Sequence, residues 1–195
     1  MYKKQMTLQR ITSYILLGVA VLVFVYSLGI MTDLYDSLNL VSSYKETSSM
    51  YVEGSYVYLN MQEFNSQLTT AGIVLILTAA ALFVFRSHDR RKYYIANYIT
   101  IGINAVANVA VSVWAITNVL KYKAEFLLVD FEKLKEIATL LPNSVQYTES
   151  TFWFDISWAV FIPVFIATAL SIGNLIWKII LMRAERKLIE EGKEA

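Results

Sequence analysis

Asn97, Asn104 and Asn108 are the residues whose type and spacing first suggest chemistry. At about 100° per residue along a helix, these three carboxamides fall within about 40° of one another. They do so inside an apolar stretch, residues 97–118, that otherwise reads as a membrane span. A carboxamide both donates and accepts, so such a row either binds neighbouring helices together or lines a path for a polar solute.

Other chemistry is scarce. The chain has no cysteine, which excludes thiolate metal sites, CxxC redox chemistry and cysteine nucleophiles, and disulfides as well. Its single histidine, His88, stands among arginines in RSHDRRK, with no second imidazole to complete a metal or haem site. The sequence contains no GxSxG, P-loop, HExxH or GxGxxG pattern. Glu125, Asp130, Glu132 and Glu136 sit beside lysines in the pattern of a solvated helical face. An enzyme acting on lipid or cell-wall material would have to rely on Asp155 and Glu149 near the outer boundary. These residues call for no catalysis, no cofactor, no metal and no nucleic-acid partner.

The elements that must position the amides are long and apolar. Of 195 residues 56% are hydrophobic and only 17% charged, against about a quarter in soluble domains, and the mean hydropathy is +0.48. The excess collects in four runs, residues 11–31, 68–85, 93–120 and 154–182, each long enough for a hydrocarbon core of about 30 Å. The first run is too long for a signal peptide and lacks a small-x-small cleavage site, so a retained anchor is expected.

Charge sets the expected orientation. Lys3, Lys4 and Arg10, then Arg86, Arg90, Arg91 and Lys92, then Lys178, Arg183, Arg186, Lys187 and Lys193 fall on one side; the two long connections hold only Lys45, Lys121, Lys123, Lys133 and Lys135. Basic residues in short loops stay cytoplasmic. Residues 1–10, the loop 86–92 and the tail 183–195 are therefore expected inside, and residues 32–67 and 121–153 outside, in a cell membrane of bacterial type. Phe152, Trp153, Phe154 and Trp158 fit an aromatic belt at the outer boundary. Arg86, Arg90, Arg91 and Lys92 are expected to meet anionic lipid or a cytoplasmic partner.

Neither glycine nor proline interrupts residues 103–141, so the third helix is expected to continue to Leu141 before Pro142 stops it. Leu127, Phe131, Leu134, Ala138 and Leu141 then form an apolar stripe, offered to the first helix's own extension (to about Tyr44) or to an extracellular partner. Residues 56–66 read as helix or as a short strand. Asp155 is expected to cap the fourth helix.

The fold expected is an all-α integral membrane protein of four transmembrane helices, with helices 1 and 3 extending into a small extracellular helical region. Partners for the amides are expected in Thr78, Ser171 and Asn174, and close backbone approach at Gly18 and residues 79–81. No ionisable group is expected at mid-membrane depth, Lys178 being counted with the cytoplasmic tail. An accessory or scaffolding subunit of a larger membrane complex, a transporter or secretion system, follows as the expected function, with membrane lipids and other subunits (or further copies of the chain) as partners. The alternative is a small oligomeric transporter or channel for a neutral solute, lined by Asn97, Asn104, Asn108 and Asn174.

Overall fold

A computed structural model describes residues 2–85 and 94–194, and all regular structure among them is helical. Helix α1 spans Tyr2–Gly29, α2 Thr32–Leu38, α3 Val57–Val84, α4 Tyr94–Phe126, α5 Phe131–Leu140, α6 Phe152–Asp155 and α7 Ser157–Glu194; a 3-10 turn covers Val41–Ser43. Four helical stretches are long and apolar enough to cross a membrane: Lys3–Leu38, Val57–Val84, Ile95–Phe126 and Phe152–Lys187; an 18-residue segment within each has a mean hydropathy of 2.4, 2.0, 1.8 and 2.1, respectively. Arg86, His88, Arg90, Arg91 and Lys92 lie outside the described residues.

The chain divides into two compact units. The second comprises Leu22–Ile73 and Ser112–Phe161. Its interior is aromatic and aliphatic. Phe64 packs on Trp114 and Tyr122 at ring separations of 5.2 and 5.4 Å, and Phe126 on Phe131 and Phe154 at 5.3 and 5.4 Å. Two buried tyrosines satisfy their hydroxyls by bonding them to backbone. Tyr26 Oη donates to the Trp153 carbonyl at 3.0 Å, and Tyr122 Oη to that of Asn60 at 3.1 Å. At Gly72 the backbones of α1 and α3 touch: a Cβ there would lie 3.0 Å from Phe24 Cα. At Gly29 a Cβ would enter the Trp153 ring. Gly18, the expected point of approach, has open space instead.

Several expected boundaries move. The third helix does not reach Leu141 unbroken; α4 stops at Phe126, and α5 restarts after Asp130. The cause is the aspartate, whose side chain accepts from Lys133 N at 3.1 Å and so caps a new helix. Its own amide donates to the Glu53 carbonyl at 3.0 Å, replacing the bond that a continuous helix would have made. That contact needs Gly54, whose φ of +79° and close approach to Leu128 and Val129 admit no side chain. The break also resets the helical phase, so Leu134 and Ile137 form the buried face of α5, whereas Leu127 is exposed. The first helix ends at Gly29 and is followed by α2 and the 3-10 turn, not by one helix to Tyr44. Residues 57–66 are helical, which removes the strand option. Asp155 closes α6 and accepts from Lys123 Nζ and Thr151 Oγ1, both at 2.6 Å; it does not cap α7.

The first unit comprises Met1–Val21, Val74–Val111 and Ile162–Ala195. Its apolar packing (Leu16, Leu75, Ala79, Leu82, Ile101, Val164, Ala167) surrounds an unusual number of buried polar groups, and these form the candidate site.

Candidate functional site: a buried amide column

Helix α4 sorts its side chains sharply. Ile95, Ile99, Ile103, Val106 and Val113 are all more than half exposed, as lipid-facing residues of a span should be. The opposite face carries Asn97, Asn104 and Asn108, each no more than 2% exposed. Lipid offers a carboxamide no hydrogen bond, so the amides turn toward protein and the branched aliphatics turn away.

The amides bond in a directed chain. Asn108 Nδ2 donates to Asn104 Oδ1 at 3.0 Å, Asn104 Nδ2 donates to Thr78 Oγ1 on α3 at 3.1 Å, and Thr78 Oγ1 donates to the Leu75 carbonyl at 3.0 Å. Because each group donates onward while accepting from the one before, the bonds polarise one another in the same sense. The i, i+4 spacing of Asn104 and Asn108 is what lets one amide reach the next.

Two further links tie the remaining helices. Gln5 Nε2 on α1 donates to Asn174 Oδ1 on α7 at 3.2 Å. Lys178 Nζ, also on α7, donates to Asn97 Oδ1 at 2.7 Å and stands 5.1 Å from the centre of the Tyr98 ring. Lys178 is fully buried. This corrects the expectation that it belongs with the solvated basic tail: the ammonium points inward, held by an amide dipole and an aromatic face. Gln9, Thr12, Ser13, Thr168 and Ser171 are buried in the same unit. Three hydroxyls in this group, on Thr12, Ser13 and Thr168, donate to the carbonyl four residues earlier in their own helix, so they need no partner across the bundle.

Of the amide partners expected from sequence, Thr78 meets Asn104 directly, while Asn174 pairs with Gln5 in place of Asn97. Gln5, Gln9 and Lys178 are the members that sequence reading missed. Gln5 and Gln9 are four residues apart on one helical face, and that spacing was the available signal. A few buried polar atoms have no protein partner among the described residues: Gln5 Oε1, Gln9 Nε2 and Asn97 Nδ2.

The residues expected to meet an extracellular partner divide. Leu134 is buried in the protein's own core, Phe131 and Leu141 are half-buried, and only Leu127 is exposed, together with its neighbour Leu128. Comparison of the chain with protein-family models, with curated proteins and with solved structures returned no match.

Proposed function

We propose that this chain is a non-catalytic accessory or scaffolding subunit of a larger assembly in a cell membrane, with both termini on the cytoplasmic side. One observation carries the reading: Asn97, Asn104 and Asn108 are buried and each is engaged by a side chain of the unit's own helices. The bonds to α3, to α7 and along α4 commit Asn97 Oδ1, Asn104 and the Asn108 donor to cohesion; only Asn97 Nδ2 keeps a donor without a protein partner among the described residues. Interhelical bonds of this kind contribute about 0.6 kcal/mol each, so several in register are needed to fix one arrangement of four apolar helices. Contact with other subunits falls to surfaces elsewhere, with Leu127, Leu128 and Leu140 as exposed apolar groups on or beside α5.

The test is capture in the native membrane. Crosslinking followed by purification in mild detergent is expected to recover the chain with a defined membrane-protein partner. Recovery as a monomer, with no crosslinked neighbour, would remove the proposal.

A second reading is favoured by one feature. Lys178 places an ammonium in the same column, and intramembrane ionisable groups mark transport pathways more often than they mark glue. On this reading Asn97, Asn104, Asn108 and Asn174 line a solute path. Replacing Asn104 and Asn108 by leucine separates the two: cohesion predicts weakened folding or assembly, whereas a pathway predicts a folded protein that has lost transport.

A further inference from the structure

Helix α7 ends its apolar course abruptly. From Ile162 to Met182 it carries one charged residue, the inward-turned Lys178, and these 21 residues rise about 31 Å, close to the thickness of a hydrocarbon core. Arg183 and Arg186 follow at once, and a span of this length seated across a bilayer would bring them to the level of the lipid phosphates. A cavity of about 180 Å³ opens here between α4 and α7, lined by Tyr98, Ile179, Met182, Arg183 and Arg186. The four α7 residues share one helical face, spanning about 100°. Both arginines are exposed, and neither is in an ion pair among the described residues. Glu185 points to the other side of the helix by its spacing, and Glu190, one turn beyond Arg186, is not among the lining residues.

The same face continues toward the membrane interior as Ile176 and Ile172, two and three turns below Arg183, and both are exposed. An apolar track thus runs directly away from a pair of guanidiniums. We infer that this cavity binds the phosphate headgroup of an anionic phospholipid, with its acyl chains laid along Ile176 and Ile172. Guanidinium forks match phosphate oxygens two at a time, and Tyr98 brings a phenol to the same rim. Ile179 and Met182 exclude water from one side of the headgroup, which a site for free phosphate would not require. Tyr98 also links the cavity to the amide column, because Lys178 stands against its ring. The inference is independent of whether the chain serves as a subunit or as a transporter.

The test uses the full-length protein purified in a neutral detergent and examined by native mass spectrometry. Three probes are titrated separately: phosphatidylglycerol, phosphatidylcholine and inorganic phosphate. The expected result is a retained phosphatidylglycerol adduct, with phosphatidylcholine binding weakly and inorganic phosphate failing to displace the lipid. Arg183→Gln with Arg186→Gln is expected to weaken phosphatidylglycerol binding about tenfold or more. Lys3→Gln with Lys4→Gln removes the same charge on α1, outside the lining residues, and is expected to change it little. Equal losses from the two pairs would reduce the effect to general attraction by a basic surface and overturn the site. Full displacement by inorganic phosphate, or no preference for the anionic lipid, would overturn it equally. Both variant pairs lie at exposed positions, and a melting curve for each shows that binding is compared between folded proteins.

Discussion

The bond from Lys178 to Asn97 offers the sharpest test of how the buried column holds together. Asn97→Leu removes the acceptor 2.7 Å from a fully buried ammonium. A hydrogen bond to a charged group contributes about 1.5–3 kcal/mol, and the ammonium keeps its contact with the Tyr98 ring. The expected cost is therefore about 2–3 kcal/mol. Lys178→Met acts differently, because it removes the desolvated charge along with the donor and keeps a chain of similar length. Exchange of a buried ion for an apolar group is often nearly neutral, and the remaining cost is an orphaned Asn97 oxygen, about 1–2 kcal/mol. In the double variant neither charge nor acceptor is left stranded. Its destabilisation should fall short of the sum of the singles by about 1.5–3 kcal/mol. The four proteins are to be compared by equilibrium unfolding in mixed micelles over one detergent series, with helicity followed by circular dichroism and refolding checked for each. Additive effects, with a coupling below about 0.5 kcal/mol, would refute the contact.

Two other predictions follow from the backbone and from the charge pattern. Gly72→Ala sets a methyl 3.0 Å from Phe24 Cα and is expected to destabilise by about 1–2 kcal/mol, whereas Gly18→Ala meets nothing and should stabilise α1 by about 0.5–1 kcal/mol; thermal unfolding in detergent compares the two, and equal effects would contradict the packing at α1 and α3. For orientation, the absence of native cysteine makes single-cysteine labelling clean. Ser49→Cys should react with an impermeant maleimide on intact cells, and Ala184→Cys only after permeabilisation; the reverse pattern would overturn the expected placement of both termini.

Much of the architecture was legible because lipid imposes a simple rule. A span must be long, apolar and helical, so the four runs announced themselves, and the phase of Asn97, Asn104 and Asn108 against Ile99, Ile103 and Val106 told which face turns inward. What resisted reading was local competition. Asp130 stops one helix and starts another without glycine or proline, because a carboxylate three residues before a free amide caps it, and that signal was outweighed by an unbroken apolar stripe. Lys178 resisted for a different reason: a lysine near the end of an apolar span is usually drawn out toward the headgroups, and its inward turn depends on Asn97 and Tyr98, contributed by a different helix. The partners of the amides depend on helix rotation, which periodicity constrains only to a face; Asn174 therefore lay at a plausible depth for Asn97 yet meets Gln5.

The claim that the amides serve cohesion can be tested most directly by asking whether water reaches them. Asn104→Cys and Asn108→Cys, introduced one at a time into the naturally cysteine-free chain, would be treated in native membranes with a small charged thiol reagent, alongside Ser49→Cys as an exposed reference. Burial at 2% exposure predicts that both inner positions stay unmodified in the folded protein and react only after denaturation. Modification of either at a rate near that of the reference would mean a wet passage through the column, and the scaffold account would be wrong.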